Sequence, residues 1–375
     1  MTDCRIGPST VGVFHGDSKM NRKRILIAAV LLCSFATSCG SVGVQRVSQT
    51  ESGRIVEDSE WFIEPLQSLP IENALFNIAC AEDGWCCLWN FKSVWAGNDK
   101  GSWQQIYSGD ALRNVFVDGR HVVWIATSDS IYKKEGDRWI NISWPRFDGV
   151  NGEIGCVYFQ GQNGWIAGAK YRPLETNETL IHNATSADGT RVLSGYLSHT
   201  ADGGKLWESY EFPRLVGRFH KILFATELGI AYGDAGFLAT TNGGKTWKKP
   251  LEEFRNRDTG ELPNVQAAFI ANDQQAWVAV NGGRILTTSD GGKNWRLSSP
   301  NIPDSLQTFS DIAFTDQSAG LAISGGTGGG SLFKTSDSGK SWRQIPAPEP
   351  FRQVLIIAGH GILVGSSRLY SIRKL

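Results

Sequence analysis

One eight-residue phrase is written four times in the second half of the chain. It runs Thr200-Ala201-Asp202-Gly203-Gly204-Lys205-Leu206-Trp207, Thr240-Thr241-Asn242-Gly243-Gly244-Lys245-Thr246-Trp247, Thr288-Ser289-Asp290-Gly291-Gly292-Lys293-Asn294-Trp295 and Thr335-Ser336-Asp337-Ser338-Gly339-Lys340-Ser341-Trp342. Repetition of one turn-plus-strand unit dictates a repeat architecture before any single residue dictates chemistry. Within the phrase, an Asp or Asn side chain can accept bonds from backbone amides further along the turn, and Gly permits left-handed angles. Trp then supplies an apolar plate between neighbouring sheets. Thr200, Asp202, Gly204 and Trp207, with Thr240, Asn242, Gly244 and Trp247, are accordingly read as structural. The same holds for Thr288, Asp290, Gly292 and Trp295, and for Thr335, Asp337, Gly339 and Trp342. Calcium ligation is the alternative, but each copy lacks the run of oxygen ligands of an EF-hand-type loop.

A second landmark precedes each tryptophan-terminated unit: a short turn, a bulky residue and an apolar strand. It recurs at Gly84-Trp85, Val123-Trp124, Gly164-Trp165, Gly229-Ile230, Ala276-Trp277, Gly320-Leu321 and Gly361-Ile362, which makes seven repeats. In the fifth, strands are expected over Asn264 to Ala271, Ala276 to Val280, Arg284 to Thr288 and onward from Trp295. A four-stranded antiparallel unit recurring about every 40 to 50 residues is a propeller blade. The predicted fold is all-β, a seven-bladed β-propeller. Worn copies of the turn, at Asn98 to Trp103 and Glu135 to Trp139, mark the first two blades. The last unit has strands over Gln353 to Ala358, Ile362 to Gly365 and Leu369 to Arg373 and no fourth. Ser59-Glu60-Trp61-Phe62-Ile63-Glu64 is a fourth-strand sequence with no blade of its own, so it is expected to complete the last blade and close the ring. Abundant Gly and Trp, 43 and 14 residues, suit strands punctuated by turns. The third repeat is swollen by a polar insertion, roughly Tyr171 to Tyr196, a loop that either carries function or merely tolerates length.

The first residues carry an address. Asn21-Arg22-Lys23-Arg24, the apolar run Ile25 to Leu32, and Ala36-Thr37-Ser38-Cys39 form a basic region, a core too short to span a bilayer and a small-residue cleavage point. Ending on small-small-Cys, the segment resembles a bacterial lipobox, which makes Cys39 the lipidated first residue of an exported protein. Ordinary signal cleavage and a non-lipidated anchor are the alternatives. The division expected is an over-called start and signal over 1–38, a flexible tether over 39–53 and the propeller over 54–375. Removing 1–38 leaves a net charge of about −3, without the concentrated basic charge of nucleic-acid binders. Cys80 and Cys87 flank a turn, and a hairpin register could bring them opposite one another in an oxidising compartment. Buried reduced thiols are the equal alternative. No Cys/His spacing resembles a zinc site, and neither metal nor cofactor is expected.

The repeated Ser/Thr-x-Asp-x-Gly-x-x-Trp pattern resembles the Asp-box, or BNR repeat, of sialidases, sortilin-type receptors, xyloglucan hydrolases and photosystem II assembly factors. The phrases Gly229 to Gly236 and Trp277 to Gly283, each leading into Thr-Thr and the turn, are most similar to the assembly-factor family. That resemblance covers about residues 54–375 and implies a non-enzymatic protein-binding scaffold, with a protein partner that can be a membrane protein. A monomer held at the membrane by its lipid is the expectation.

The rival reading is a sialidase-like glycoside hydrolase or a carbohydrate-binding protein. Tyr171-Arg172-Pro173 is similar to the sialidase Arg-Ile-Pro motif but lies in the third blade, and the loop carboxylates Glu252, Glu253, Asp258 and Glu261 could supply acid and base oxygens. The binding reading places its candidates on the face formed by the loops that join one blade to the next and strand b to strand c. They are Arg113, Arg146, Phe147, Tyr171, Arg172, Arg214, Arg218, His220, Arg255 and Arg257, arginines and aromatics of the kind enriched at protein hot spots. Scattered surface arginines are the alternative for each residue taken singly.

Overall fold

A computed structural model describes residues 46–50, 53–57, 61–68, 77–98, 103–109, 111–145, 152–173, 191–234, 236–254, 263–298, 308–325, 330–357 and 360–374. The signal segment and Cys39 lie outside the described residues, as do Arg146, Phe147, Arg255, Arg257, Asp258 and Glu261.

Seven antiparallel sheets follow one another along the chain, the blades of a β-propeller. Blade 1 runs Asn77–Cys80, Trp85–Trp89, Ser93–Asn98 and Gln104–Ser108, and blade 2 runs Leu112–Val117, Val123–Thr127, Ile131–Glu135 and Arg138–Ile142. Blade 3 has the longest strands, Gly152–Gln160, Asn163–Pro173, Arg191–Thr200 and Glu208–Val216. Blade 4 has Phe219–Phe224, Gly229–Gly233 and Gly236–Thr240, and its outer position is reduced to Lys248, which exchanges two backbone hydrogen bonds with Ala239 before the short helix Pro250–Phe254. Blade 5 is Val265–Ile270, Ala276–Val280, Arg284–Thr288 and Arg296–Ser298, and blade 6 is Phe309–Phe314, Gly320–Ser324, Ser331–Thr335 and Arg343–Ile345. In every blade the first strand, a, is innermost and touches the first strands of both neighbouring blades, so the a strands form a closed ring.

Blade 7 consists of Phe351–Ile357, His360–Gly365, Arg368–Lys374 and the N-terminal strand Trp61–Ser68. Ile63 lies opposite Ile372 and Trp61 opposite Lys374, the closure expected from the sequence. Trp61 is 1% exposed and packs with Ile345, Phe351 and Tyr370. A hairpin, Arg46–Thr50 with Gly53–Glu57, adds two strands outside it. Residues 46–50 and 53 of the expected tether are therefore strand: Val47 and Thr50 favour extended backbone, and the closing strand offers the hairpin an edge.

The second strands explain why the repeats read as apolar runs instead of alternating ones. Ala276–Val280 is buried throughout. It sends Ala276, Val278 and Val280 toward blade 4 and Trp277 and Ala279 toward blade 6. Seven such clusters, one per blade interface, make up the core of the described residues. Side chains on the a strands add hydrogen bonds across the interfaces. Asn114 Oδ1 accepts the Val157 N–H at 3.1 Å, Gln266 Oε1 that of Phe309 at 2.9 Å, Asp311 Oδ2 that of Val354 at 3.0 Å and Gln353 Oε1 that of Ile78 at 2.9 Å.

The repeated phrase builds one turn four times. In the third copy the Thr288 hydroxyl donates to Asp290 Oδ1 at 2.9 Å while accepting the Gly292 N–H at 2.9 Å, and Asp290 Oδ1 accepts the Asn294 N–H at 3.0 Å. Equivalent bonds link Thr200 with Asp202, Thr240 with Asn242 and Thr335 with Asp337. Gly291 and Gly292 have φ of 75° and 80°, which is why glycine stands there.

Two expectations need correcting. Cys80 is bonded to Cys86, not to Cys87. The turn over Ala81 to Gly84 sets a register that pairs Cys80 with Cys86 and Ala79 with Cys87, so Cys87 points to the opposite face and stays a buried thiol, its pKa pushed up to about 12 by burial. The blade 3 insertion, expected as loop from Tyr171 to Tyr196, is strand at both flanks. Tyr171 pairs with Leu193 and Arg172 with Val192, extending the ribbon to Pro173 and Arg191.

Candidate functional site

Six of the seven a strands carry an extra residue at an equivalent place, shortly after the strand begins. The bulged residues are Arg113, Gly155, His220, Gln266, Ser310 and Arg352. A bulge bends its strand and re-aims the side chain it carries. Because the blades repeat, these positions ring the channel mouth on the face where each a strand begins. At Gly155 a Cβ would sit 1.9 Å from the Phe219 carbonyl oxygen, so the close approach of blades 3 and 4 allows no side chain.

Gly155 is one of the residues that line a cavity of about 250 Å³. Trp89, Phe91 and Leu112 form an apolar wall, and Arg113, Glu153, Arg218 and His220 a polar one. Blade 1 supplies Trp89 and the turn carrying Phe91, blade 2 supplies Leu112 and Arg113, blade 3 supplies Glu153, and the start of blade 4 supplies Arg218 and His220.

Four of the nearby charges are already matched. Arg218 Nη2 lies 3.0 Å from Glu153 Oε2, and His220 Nε2 lies 3.0 Å from Asp234 Oδ2. The hydrogen bond from His220 holds the Asp234 carboxyl below the usual range, helped by the His220 and Arg218 charges and opposed by partial burial. Arg218 Nε is buried without a hydrogen-bond partner. Arg113 is exposed and, among the described residues, enters no ion pair or hydrogen bond. The arrangement can hold an anionic group at Arg113 beside an apolar one at Phe91.

Of the residues predicted from the sequence, Arg113, Arg218 and His220 come together at this cavity. Tyr171 and Arg172 do not line it: they lie on the extended ribbon of blade 3, where the Arg191 guanidinium sits 5.7 Å from the Tyr171 ring centre. Arg214 lies in the strand Glu208–Val216, and its side chain is outside the described residues. Sequence reasoning missed Trp89, Phe91, Glu153 and Asp234. The available signal was Phe91, an aromatic in the polar turn Asn90-Phe91-Lys92-Ser93 that follows the apolar run Trp85 to Trp89. Among the described residues no group of His, Cys, Asp and Glu is placed to hold a metal ion.

Residues 173–299, from the end of the second strand of blade 3 through blade 5, match the family model for the photosynthesis system II assembly factor YCF48. No curated protein matches the chain. Similar solved structures include YCF48 bound to a D1 peptide, 18% identical, with 84% of this chain and 96% of that chain covered and a TM-score of 0.55. YCF48 from Cyanidioschyzon merolae is 16% identical, with 84% and 99% covered and a TM-score of 0.56. A streptogramin B lyase, 12% identical, with 84% and 98% covered, reaches 0.58. At such identities the likeness is one of fold, shared by assembly factors and enzymes alike. The chain is thus a seven-bladed β-propeller whose central portion carries YCF48-type sequence.

Proposed function

We propose that this chain is a non-enzymatic docking scaffold that works at a bacterial membrane, exported and held there by a lipid on Cys39. The observation that carries the reading is the convergence of Arg113, Arg218 and His220, from blades 2 and 4, on one cavity at the channel mouth. A propeller of this fold has been solved with a D1 peptide bound, a precedent for such a fold receiving a protein segment. The two carboxylates nearest the mouth favour binding over hydrolysis. Glu153 is held by Arg218, and Asp234 is held ionised by His220, the opposite of what a general acid requires. The Cys80–Cys86 bond supports export, since such cross-links persist in oxidising compartments.

The test is a crosslinking pull-down from membranes with wild type, Arg113→Glu and Arg218→Glu, each verified as folded by its melting curve. Loss of a specific membrane partner by the variants is expected, and recovery of the same partners by all three forms refutes the docking face. Mass spectrometry of the mature N-terminal peptide decides the anchor: an unmodified Cys39 refutes it.

A further inference from the structure

Phe91 is 65% exposed, yet it is not on a loose loop. Asn90 Oδ1 accepts the N–H groups of Lys92 and Ser93, both at 2.9 Å, and the Asn90 N–H donates to the Ser93 carbonyl at 3.1 Å. Two further bonds tie the turn to the segment leading into blade 2: the Phe91 carbonyl accepts the Leu112 N–H at 3.0 Å, and the Lys92 carbonyl accepts the Gly109 N–H at 2.8 Å. Between those anchor points Ala111 has a φ of 59°, a left-handed conformation that disfavours any residue with a Cβ. Strain of this kind persists only where surrounding structure imposes it, and it gathers at binding sites. Here it sets Leu112 and Arg113 beside Phe91.

A rigidly presented phenyl ring loses little conformational entropy on docking, and covering it removes apolar surface from water. The cavity behind it, about 250 Å³, falls below the roughly 300 to 1,000 Å³ of free-standing small-molecule pockets. Its size suits a side chain or two of a larger partner. Its charge is equally specific: Glu153 and Asp234 are each engaged, and of the cations that line the cavity Arg113 is the one without a counter-ion among the described residues.

We infer that the partner docks through an extended polypeptide segment that sets an aliphatic or aromatic side chain against Phe91, Trp89 and Leu112 and a neighbouring Asp or Glu side chain on Arg113. This rests on the reading of the channel mouth as the docking face and specifies what that face selects. Phe91 is the anchor and Arg113 fixes direction along the segment, since a carboxylate on the wrong side of the apolar residue meets Glu153 instead.

The experiment is selection of short random linear peptides displayed on phage against the full chain, followed by fluorescence polarisation with the selected peptides, blocked at both termini. Selected peptides are expected to pair a bulky apolar residue with Asp or Glu. Phe91→Ser and Arg113→Met are each expected to weaken binding about tenfold or more. Reselection on Arg113→Met keeps the apolar residue and loses the acid. Leu206→Ser serves as control, because Leu206 is 76% exposed and sits on a turn between third and fourth strands, at the other end of its blade. Peptides without an apolar–acidic pair, failure to select any peptide, or affinities indifferent to Phe91→Ser overturn the inference. So does a saccharide retained on a glycan array, or self-association of the chain, that Phe91→Ser abolishes. If Arg113→Glu loses the membrane partner while Phe91→Ser keeps it, the docking face stands and this anchor falls. If neither variant loses the partner, both fall.

Discussion

The Gln353 side-chain amide clasps the backbone of Ile78 from both sides: Oε1 accepts the Ile78 N–H at 2.9 Å, and Nε2 donates to the Ile78 carbonyl at 3.2 Å. These residues are 275 positions apart, and their bonds join the innermost strands of blades 7 and 1. Replacing Gln353 with Ala leaves the buried Ile78 amide without this partner. A loss of about 1 to 3 kcal/mol in urea unfolding is expected, and an unchanged midpoint refutes a role for the clasp in closure.

Trp61 tests the same seam through packing. Trp61→Ala removes a side chain that is 1% exposed among Ile345, Phe351 and Tyr370. The expected cost is about 3 to 5 kcal/mol, read as a lower melting temperature, with proteolysis starting in blade 7.

Acid is expected to weaken the repeated turns. The Asn294 N–H, followed by the Asn294 side chain and the Thr288 hydroxyl, holds the Asp290 carboxyl at about 2, below its ordinary 3.8. Asp202 and Asp337 are also lowered, Asp202 chiefly by the Leu206 N–H; at Asp337 desolvation is the largest single effect and pushes upward, but the bonds from Ser341 and Thr335 together outweigh it. A depressed folded-state pKa contributes stability that is present above the unfolded value and is lost as pH falls through the folded one. Urea midpoints should therefore drop between about pH 4 and pH 2, and the slope should be shallower in Asp290→Asn, a substitution that the natural Asn242 copy shows the turn accepts.

How much of this was legible in the sequence depends on which physics each feature uses. The phrase ending in Trp295 announces its turn because few residues satisfy those amides and those left-handed angles. Trp61 announced the closing strand because a fourth-strand sequence without a blade needs a partner. Register is harder to see. Whether Cys80 meets Cys86 or Cys87 depends on one residue of turn length, and a shift of one exchanges the two faces of the strand. The mouth was half visible. Arg113 and His220 were found by their place before a strand, but the bulges that aim them leave no mark in Leu112-Arg113-Asn114 or Phe219-His220-Lys221. Glu153 gave no sign because its pairing with Arg218 spans two blades.

The disulfide makes a redox prediction. Closing a loop with a sequence separation of 6 is worth about 2 kcal/mol by chain entropy. Reduction, or Cys80→Ser with Cys86→Ser, should lower the melting temperature, whereas Cys87→Ala should leave the response to reductant unchanged. Insensitivity of the wild-type melt to reductant counts against the Cys80–Cys86 bond.

Ala111→Gly should relieve the left-handed strain and raise stability by up to about 1 kcal/mol, because glycine adopts that φ without a Cβ clash. The same change frees the segment that fixes Leu112 and Arg113, so peptide affinity at the mouth should fall while the melting temperature rises. A variant that gains in both contradicts the view that strain there positions the site.

The closing of blade 7 by Trp61–Ser68 also orders events during synthesis. That strand leaves the ribosome ahead of every blade, but its partner Arg368–Lys374 is made after all the other described strands. Until then the strand has its own outer hairpin for company and a chain of unfinished length to wait for. A nascent chain halted in blade 6 lacks the strand that Trp61–Ser68 pairs with, so its ring stays open until Arg368–Lys374 is made. The seam between Trp61–Ser68 and Arg368–Lys374 is thus where an unfinished molecule differs from a closed one.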